Sequence, residues 1–130
     1  MDDKDIQYWI DISEYDLTVA ECLLEQKHYI YVGFMCHQSI EKMLKAIYVK
    51  NNNKIPPYTH KLDRLIEEAR ISSLFSEAQL SFIDELTPLN IQARYPVYKN
   101  SIHKLVTKER AGDILQKTQE LWKWLRQRIE

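Results

Sequence analysis

The stretch from Tyr31 to Lys50 constrains the fold most strongly, because its apolar residues recur at the spacing of an α-helix. At about 100° per residue, the apolar and small side chains fall within one arc. The arc contains Gly33, Cys36, Ile40, Met43, Leu44 and Ile47. Such an arc is typical of a helix that packs against other helices. We therefore expect this helix to lie at the centre of the fold.

The opposite side of this helix is polar. Gln38, Lys42 and Lys45 fall together on the side turned away from the apolar arc, where water is expected. His37 and Glu41 are four residues apart, so they are neighbours along the border between the two sides. The pair of His37 and Glu41 is the first candidate for chemistry; alternatively it is a helix-surface pair, and Lys42 and Lys45 are ordinary solvated lysines. Spacing alone leaves both interpretations open.

Composition favours one helical domain. The 130 residues are 45% hydrophobic and 28% charged, which gives a single globular domain over 1–130 enough apolar material to bury its own core. Only two glycines and four prolines occur, and few β-branched residues alternate with polar ones. We therefore expect an all-α chain.

Charge, cysteine content and hydropathy argue against several classes of protein. The formal net charge of −1 disfavours a broadly basic surface, so any nucleic-acid contact is expected to be local. Cys22 and Cys36 form no CxxC pair and lie at apolar helix positions, which predicts reduced, buried thiols rather than a disulfide or a zinc site. The chain has neither a cationic, apolar N-terminal signal nor a run of about 18 apolar residues. We expect a cytoplasmic protein with no membrane association, metal or cofactor.

Four further helices are predicted around the central one. Their expected bounds are 3–26, 60–70, 77–90 and 108–129. A short connection at 27–29 should make the first two helices of the chain antiparallel neighbours. Thr59 is expected to cap the third helix, Ser76 with Gln79 to form a capping box before the fourth, and Thr107 to cap the last. The predicted fold is an up-and-down bundle of about five helices, three long and two shorter.

His60 is the first polar candidate outside the central helix. It follows a loop at 51–58, which is rich in asparagine and contains two prolines that cannot continue a helix. The predicted position of His60 is the first turn of the third helix, where a free ring nitrogen can bond a carboxylate or a phosphate. The alternative is that His60 only pins the loop to the bundle.

A second polar segment follows the fourth helix. Arg94, Tyr95 and Tyr98 crowd around Pro96, which pushes the residues before it toward extended backbone. Loops carry function more often than helix interiors do, so these side chains are candidate ligand contacts. Alternatively, Tyr95 and Tyr98 plug the end of the bundle while Arg94 caps a helix C-terminus.

Three segments in order resemble one known family. QSIEKMLKAIY in the central helix, YTHKLDRLIEEA around the third helix and ARYPVY after the fourth are similar to the HEPN domain, the higher eukaryote and prokaryote nucleotide-binding domain. The resemblance covers almost the whole chain. It implies a helical bundle, usually dimeric, that is often encoded beside or fused to a minimal nucleotidyltransferase. Some members are metal-independent ribonuclease toxins, and others are non-catalytic nucleotide-binding modules.

The resemblance also marks individual residues. The family's polar positions correspond to Gln38, Glu41, Lys42, Thr59, His60, Arg94, Tyr95 and Pro96. In the ribonuclease branch, an arginine is followed after four to six residues by a histidine on one helix. Here eight residues separate Arg94 from His103, and Pro96 lies within the span, so one helical face need not present both side chains.

Two functions follow from the resemblance. The favoured one is a homodimeric, non-enzymatic module for a separate minimal nucleotidyltransferase, in which Arg94, Lys42 and His60 contact the phosphate of a nucleotide or RNA. The remaining predicted ligand contacts are Tyr95, Tyr98, Gln38, Glu41 and His37. The alternative is a metal-independent ribonuclease toxin of a toxin–antitoxin pair, in which Arg94 stabilises charge on the phosphate and His103 or His60 acts as acid or base. A dimer partner with no ligand is a third reading.

The last helix adds a reason to expect a dimer. Trp122 and Trp124 are two residues apart, which places two large side chains on different faces of that helix. This is more apolar surface than one bundle core is expected to use, so a second chain should cover part of it.

Overall fold

A computed structural model describes residues 2–92 and 107–130 of the chain, without the side chains of 91 and 92. Within these ranges the backbone forms five α-helices and one 3₁₀ turn. The elements are α1 (Asp3–Glu25), α2 (Tyr29–Asn52), α3 (Leu62–Glu68), the 3₁₀ turn Ser72–Leu74, α4 (Glu77–Gln92) and α5 (Lys108–Gln127). The prediction of an all-α bundle with three long and two shorter helices is confirmed.

Helices α1 and α2 form an antiparallel hairpin. Ser13 and Ser39 lie opposite each other, and each hydroxyl donates to the other residue's backbone carbonyl, at 2.7 and 2.8 Å. Trp9 lies about one turn before Ser13 on α1. It faces Lys45, which lies one to two turns after Ser39 on α2. The two helices therefore run in opposite directions, as the short connection predicts.

Helix α2 is the central element. It contacts α1, α3, α4 and α5, and its apolar arc is buried along its whole length. The expected polar side is buried as well: His37, Gln38, Glu41 and Lys45 are almost inaccessible to water. The prediction that these residues lie at the border or on a solvated face is therefore wrong. The physical reason is that other elements cover α2 on this side too, including α1 and the loop before α3.

The capping predictions hold at two of three helices. Ser76 and Gln79 bond reciprocally at the start of α4, and the Thr107 hydroxyl accepts from the Arg110 backbone N–H at the start of α5. The prediction for α3 is wrong: this helix begins at Leu62, and Thr59 accepts from the backbone N–H of Lys61 ahead of it. His60 therefore precedes the helix instead of forming its first turn.

The cysteine prediction is half right. Both thiols are free, and Cys36 is buried in the core, where burial raises its pKa to about 12. Cys22 is exposed, because it lies two residues after the buried Ala20 and so faces away from α2. Burial at this position was therefore predicted wrongly.

Both tryptophans of α5 have partners within the chain. The Trp122 indole N–H donates to the Ser13 hydroxyl at 2.8 Å. The Trp124 ring packs edge-to-face on Phe75, with 5.0 Å between centroids, and lies 4.9 Å from the Arg128 guanidinium. The two side chains therefore contribute to the packing of one chain, which removes the reason for expecting them to need a second copy.

Candidate functional site

Glu41 is the centre of a buried polar cluster. Its side chain is 1% exposed, yet both carboxylate oxygens have hydrogen-bond partners. Oε1 lies 2.9 Å from His60 Nδ1, and Oε2 lies 3.2 Å from Lys45 Nζ and 3.3 Å from Lys42 Nζ. A buried carboxylate is tolerated only when it is paired and hydrogen-bonded in this way.

The cluster reaches across three elements. Lys42 Nζ also donates to Gln38 Oε1 at 2.9 Å, and Gln38 Nε2 donates to Asn90 Oδ1 on α4 at the same distance. Because Gln38, Glu41, Lys42 and Lys45 recur at helical spacing, one side of α2 presents all four. The loop before α3 supplies His60 to this side and thereby completes the cluster.

Electrostatics keep Glu41 ionised. Burial on its own would raise the pKa of this carboxyl group, but Lys42, the His60 hydrogen bond and Lys45 together outweigh it and lower the pKa. A second carboxyl group, Asp16 on α1, has a raised pKa because burial outweighs the lowering by Lys42, and Glu41 raises it further. Lys42 therefore interacts with one buried and one half-buried carboxyl group, and Lys45 interacts with the buried one.

A cavity of about 300 Å³ opens beside this cluster. Its polar wall consists of Glu41, Lys42, Lys45, Thr59 and His60. Its apolar wall consists of Trp9, Ile55, Pro56, Pro57 and Tyr58. The polar wall carries two lysine charges against the Glu41 carboxylate, while the half-buried Asp16 carboxyl group, whose pKa is raised, interacts with Lys42 from outside the lining. A cavity with these two walls can accept a small anion that also carries an apolar or aromatic part.

Three side chains set the accessibility of the polar wall. The Lys42 side chain is 18% exposed and that of Lys45 is 8% exposed, whereas His60 is 46% exposed. Lys45 Nζ also lies 5.5 Å from the centroid of the Trp9 ring, within the range of a cation–π contact. Lys42 and His60 are therefore the groups that a ligand in the cavity meets first.

The structure brings together only part of the predicted site. Lys42, Glu41 and His60 line one cavity, and Gln38 is buried behind Lys42 and holds its ammonium group. His37 is buried nearby, with Nδ1 3.9 Å from Glu41 Oε1, which is beyond hydrogen-bonding distance. The other predicted site residues, Arg94, Tyr95, Tyr98 and His103, lie outside the described residues.

Several residues of this region were not predicted as site residues, among them Lys45, Trp9, Tyr58 and Asn90. Lys45 could have been found, because it lies four residues after Glu41 on the same helix face. Trp9, Tyr58 and Asn90 come from other elements, and no spacing within the sequence connects them to Glu41. Their roles depend on how α1, α4 and the loop pack on α2.

A larger cavity of about 620 Å³ lies between α4 and α5, lined in part by Phe82, Leu121 and Trp124. Its one lysine, Lys117, is already bonded to Asp113 at 3.1 Å. Its lining also includes Glu85 and Glu120, so two carboxylates stand against one lysine and this cavity does not favour an anion. Over the described ranges 2–92 and 107–130, no group of three His, Cys, Asp or Glu side chains is arranged to hold a metal ion.

Comparison with known proteins identifies the family. The model of the HEPN domain matches residues 6–128, nearly the whole chain. The crystal structure of TT1696 from Thermus thermophilus is similar with a TM-score of 0.80 and 18% sequence identity, over 95% of this chain and 97% of that one. At this identity the likeness shows a shared fold alone, and no curated protein matches the sequence. None of the helices described is long and apolar enough to cross a membrane. The chain belongs to the HEPN domain family.

Proposed function

We propose that the protein is a homodimeric HEPN module that binds the phosphate of a nucleotide or of RNA and serves a separate minimal nucleotidyltransferase. One observation carries the phosphate-binding part of this proposal. Two lysine ammonium groups, held by one buried carboxylate, line a cavity of about 300 Å³ together with the half-exposed His60 and the loop before α3.

The lysines are held in position before any ligand arrives. A free lysine loses side-chain entropy when it is fixed against a ligand, and this loss weakens binding. Here Glu41 and Gln38 hold Lys42, while Glu41 and the Trp9 ring hold Lys45. A phosphate entering the cavity therefore meets ammonium groups whose ordering cost is already met by folding.

Donor capacity remains for an anion. An ammonium group has three N–H donors. Among the described residues, Lys42 uses two of them, toward Gln38 and Glu41, and Lys45 uses one, toward Glu41. The remaining donors, together with the exposed edge of His60, can bind phosphate oxygens. Arg94, Tyr95 and Tyr98 are proposed to add contacts from the segment after α4, and membership of the HEPN family supports the dimer and the nucleotidyltransferase partner.

Binding of inorganic phosphate and AMP tests the proposal. Calorimetric titration should show weak binding that becomes weaker as salt is raised, because one or two cationic contacts are easily screened. Lys42→Gln should reduce the affinity for both ligands, whereas Lys123→Gln, a change at an exposed lysine of α5 away from this cavity, should not. Unchanged affinity in Lys42→Gln would contradict the assignment of this cavity as the phosphate site.

A second candidate function is a metal-independent ribonuclease, and one observation favours it. His60 is half exposed, and its Nδ1 is bonded to the buried Glu41 carboxylate, an arrangement that orients a histidine for proton transfer through Nε2. We nevertheless expect no cleavage of single-stranded RNA above background in chelator, and no growth arrest on expression alone. Chelator-resistant cleavage that disappears in His60→Ala, or in both Arg94→Ala and His103→Ala, would place the ribonuclease function first.

A further inference from the structure

We infer that the same cavity holds a nucleobase as well as a phosphate, with the base stacked on Tyr58 at the cavity mouth. The natural ligand would then be a nucleotide, free or at the end of an RNA chain. This inference rests on the proposed function, because it assumes that the phosphate of the ligand lies at Lys42 and Lys45. It adds the recognition of an aromatic ring by the apolar wall.

Tyr58 is poorly explained by the folding of the chain alone. Its side chain is 100% exposed, and Ile55, three residues earlier, is also exposed. Exposed aromatic residues are common singly, but here two large apolar side chains stand at the mouth of a cavity whose opposite wall is charged. A ligand with an aromatic part would cover the Tyr58 ring, which the protein itself leaves in water.

The loop presents this ring in a restricted position. Pro56 and Pro57 fix two backbone dihedrals before Tyr58, and the Thr59 N–H bonds the Pro57 carbonyl at 2.9 Å. On the other side, His60 is held by Glu41. The backbone is therefore restricted on both sides of Tyr58. A base that stacks on Tyr58 loses less conformational entropy of the loop on binding.

Aromatic rings lie at both ends of the charged cluster that lines the cavity. The Tyr58 and His60 ring centroids are 6.5 Å apart, His60 is bonded to Glu41, and Glu41 is bonded to Lys45. At the far end, Lys45 lies against the face of Trp9, and Trp9 and Tyr8 meet edge to face. Because Trp9 is already covered on these sides, Tyr58 offers the accessible stacking face. Stacking of this kind tolerates any base, since every base has an aromatic face.

Three ligands distinguish the contribution of the base to binding affinity from that of the phosphate. Binding of AMP, ribose 5-phosphate and inorganic phosphate to the full chain should be measured by calorimetry under one salt condition. We expect AMP to bind at least about fivefold more tightly than ribose 5-phosphate, the lower end of the effect of one base–aromatic stack. Tyr58→Ala should abolish this difference and leave the affinity for inorganic phosphate unchanged, whereas Tyr58→Phe should retain it.

Tyr15 provides the matched control. It is 71% exposed on α1 and does not line the cavity, so Tyr15→Ala should leave the preference for AMP intact. Equal affinities of AMP and ribose 5-phosphate, or a preference for AMP that survives in Tyr58→Ala, would overturn the inference while leaving the proposed phosphate site standing. Failure of all three ligands to bind would instead overturn the proposed function, and the inference with it.

Discussion

Replacing Glu41 by glutamine should destabilise the protein strongly although the two side chains have nearly the same shape. The carboxylate is 1% exposed and is the shared partner of Lys42 and Lys45, whose side chains are 18% and 8% exposed. Removing one partner of a buried ion pair costs about 3–5 kcal/mol, because the other charge stays buried without compensation. Because water reaches Lys42, we expect the free energy of unfolding to fall by about 3 kcal/mol, the lower end of this range. For a domain of this size that corresponds to a fall in Tm of roughly 10 °C.

The pH dependence of this loss gives a second check. The pKa of Glu41 is lowered in the folded protein from its ordinary value of 4.5, since its lysine and histidine partners outweigh the effect of burial. A carboxyl group with a lowered folded pKa contributes stability that is fully present above its unfolded pKa and is lost as pH falls through the folded pKa. The difference between wild type and Glu41→Gln should therefore shrink as the pH falls below about 4.5.

Chemical and thermal unfolding followed by circular dichroism would measure both effects. The control is Glu68→Gln: this carboxylate is 41% exposed and pairs with Arg64 on the surface of α3. An exposed pair of this kind contributes about 0–1 kcal/mol, so the control should unfold close to wild type. A loss of stability in Glu41→Gln no larger than that of the control would refute the view that Glu41 compensates the buried Lys45 and the partly buried Lys42.

Three further predictions concern assembly, the segment after α4 and the thiols. Sedimentation at micromolar concentration should give about twice the 15.6 kDa chain mass, and a clean monomer would contradict the proposed homodimer. Arg94→Ala should weaken phosphate binding while changing stability by no more than about 0.5 kcal/mol, as expected of a surface substitution; a sharp fall in Tm would make Arg94 a structural cap instead. In the native protein, a thiol reagent should modify the exposed Cys22 and spare the buried Cys36, whose pKa is about 12, until the chain unfolds. Rapid modification of both thiols would show that the core around Cys36 opens.

Local features of the sequence were sufficient for most of the helices. The apolar arc of α2, the short connection before it and the capping residues Ser76 and Thr107 depend on neighbours within a few positions, so their structural effect can be predicted without a fold. The same holds for the pairing of Glu41 with Lys45, which follows from a spacing of four residues on one helix. The HEPN resemblance implied the same helical bundle independently.

The candidate site depended on tertiary structure. Spacing shows that Glu41, Lys42 and Lys45 share one side of α2, but whether that side meets water depends on which elements pack over it. The loop before α3 folds back so that His60 reaches Glu41, and it carries Tyr58 to the mouth of the same cavity. Glu41 and His60 are 19 positions apart in the sequence, and Trp9 and Lys45 belong to different helices. Helical periodicity carries no information about such distant pairs, because they form only when separate helices and loops pack together.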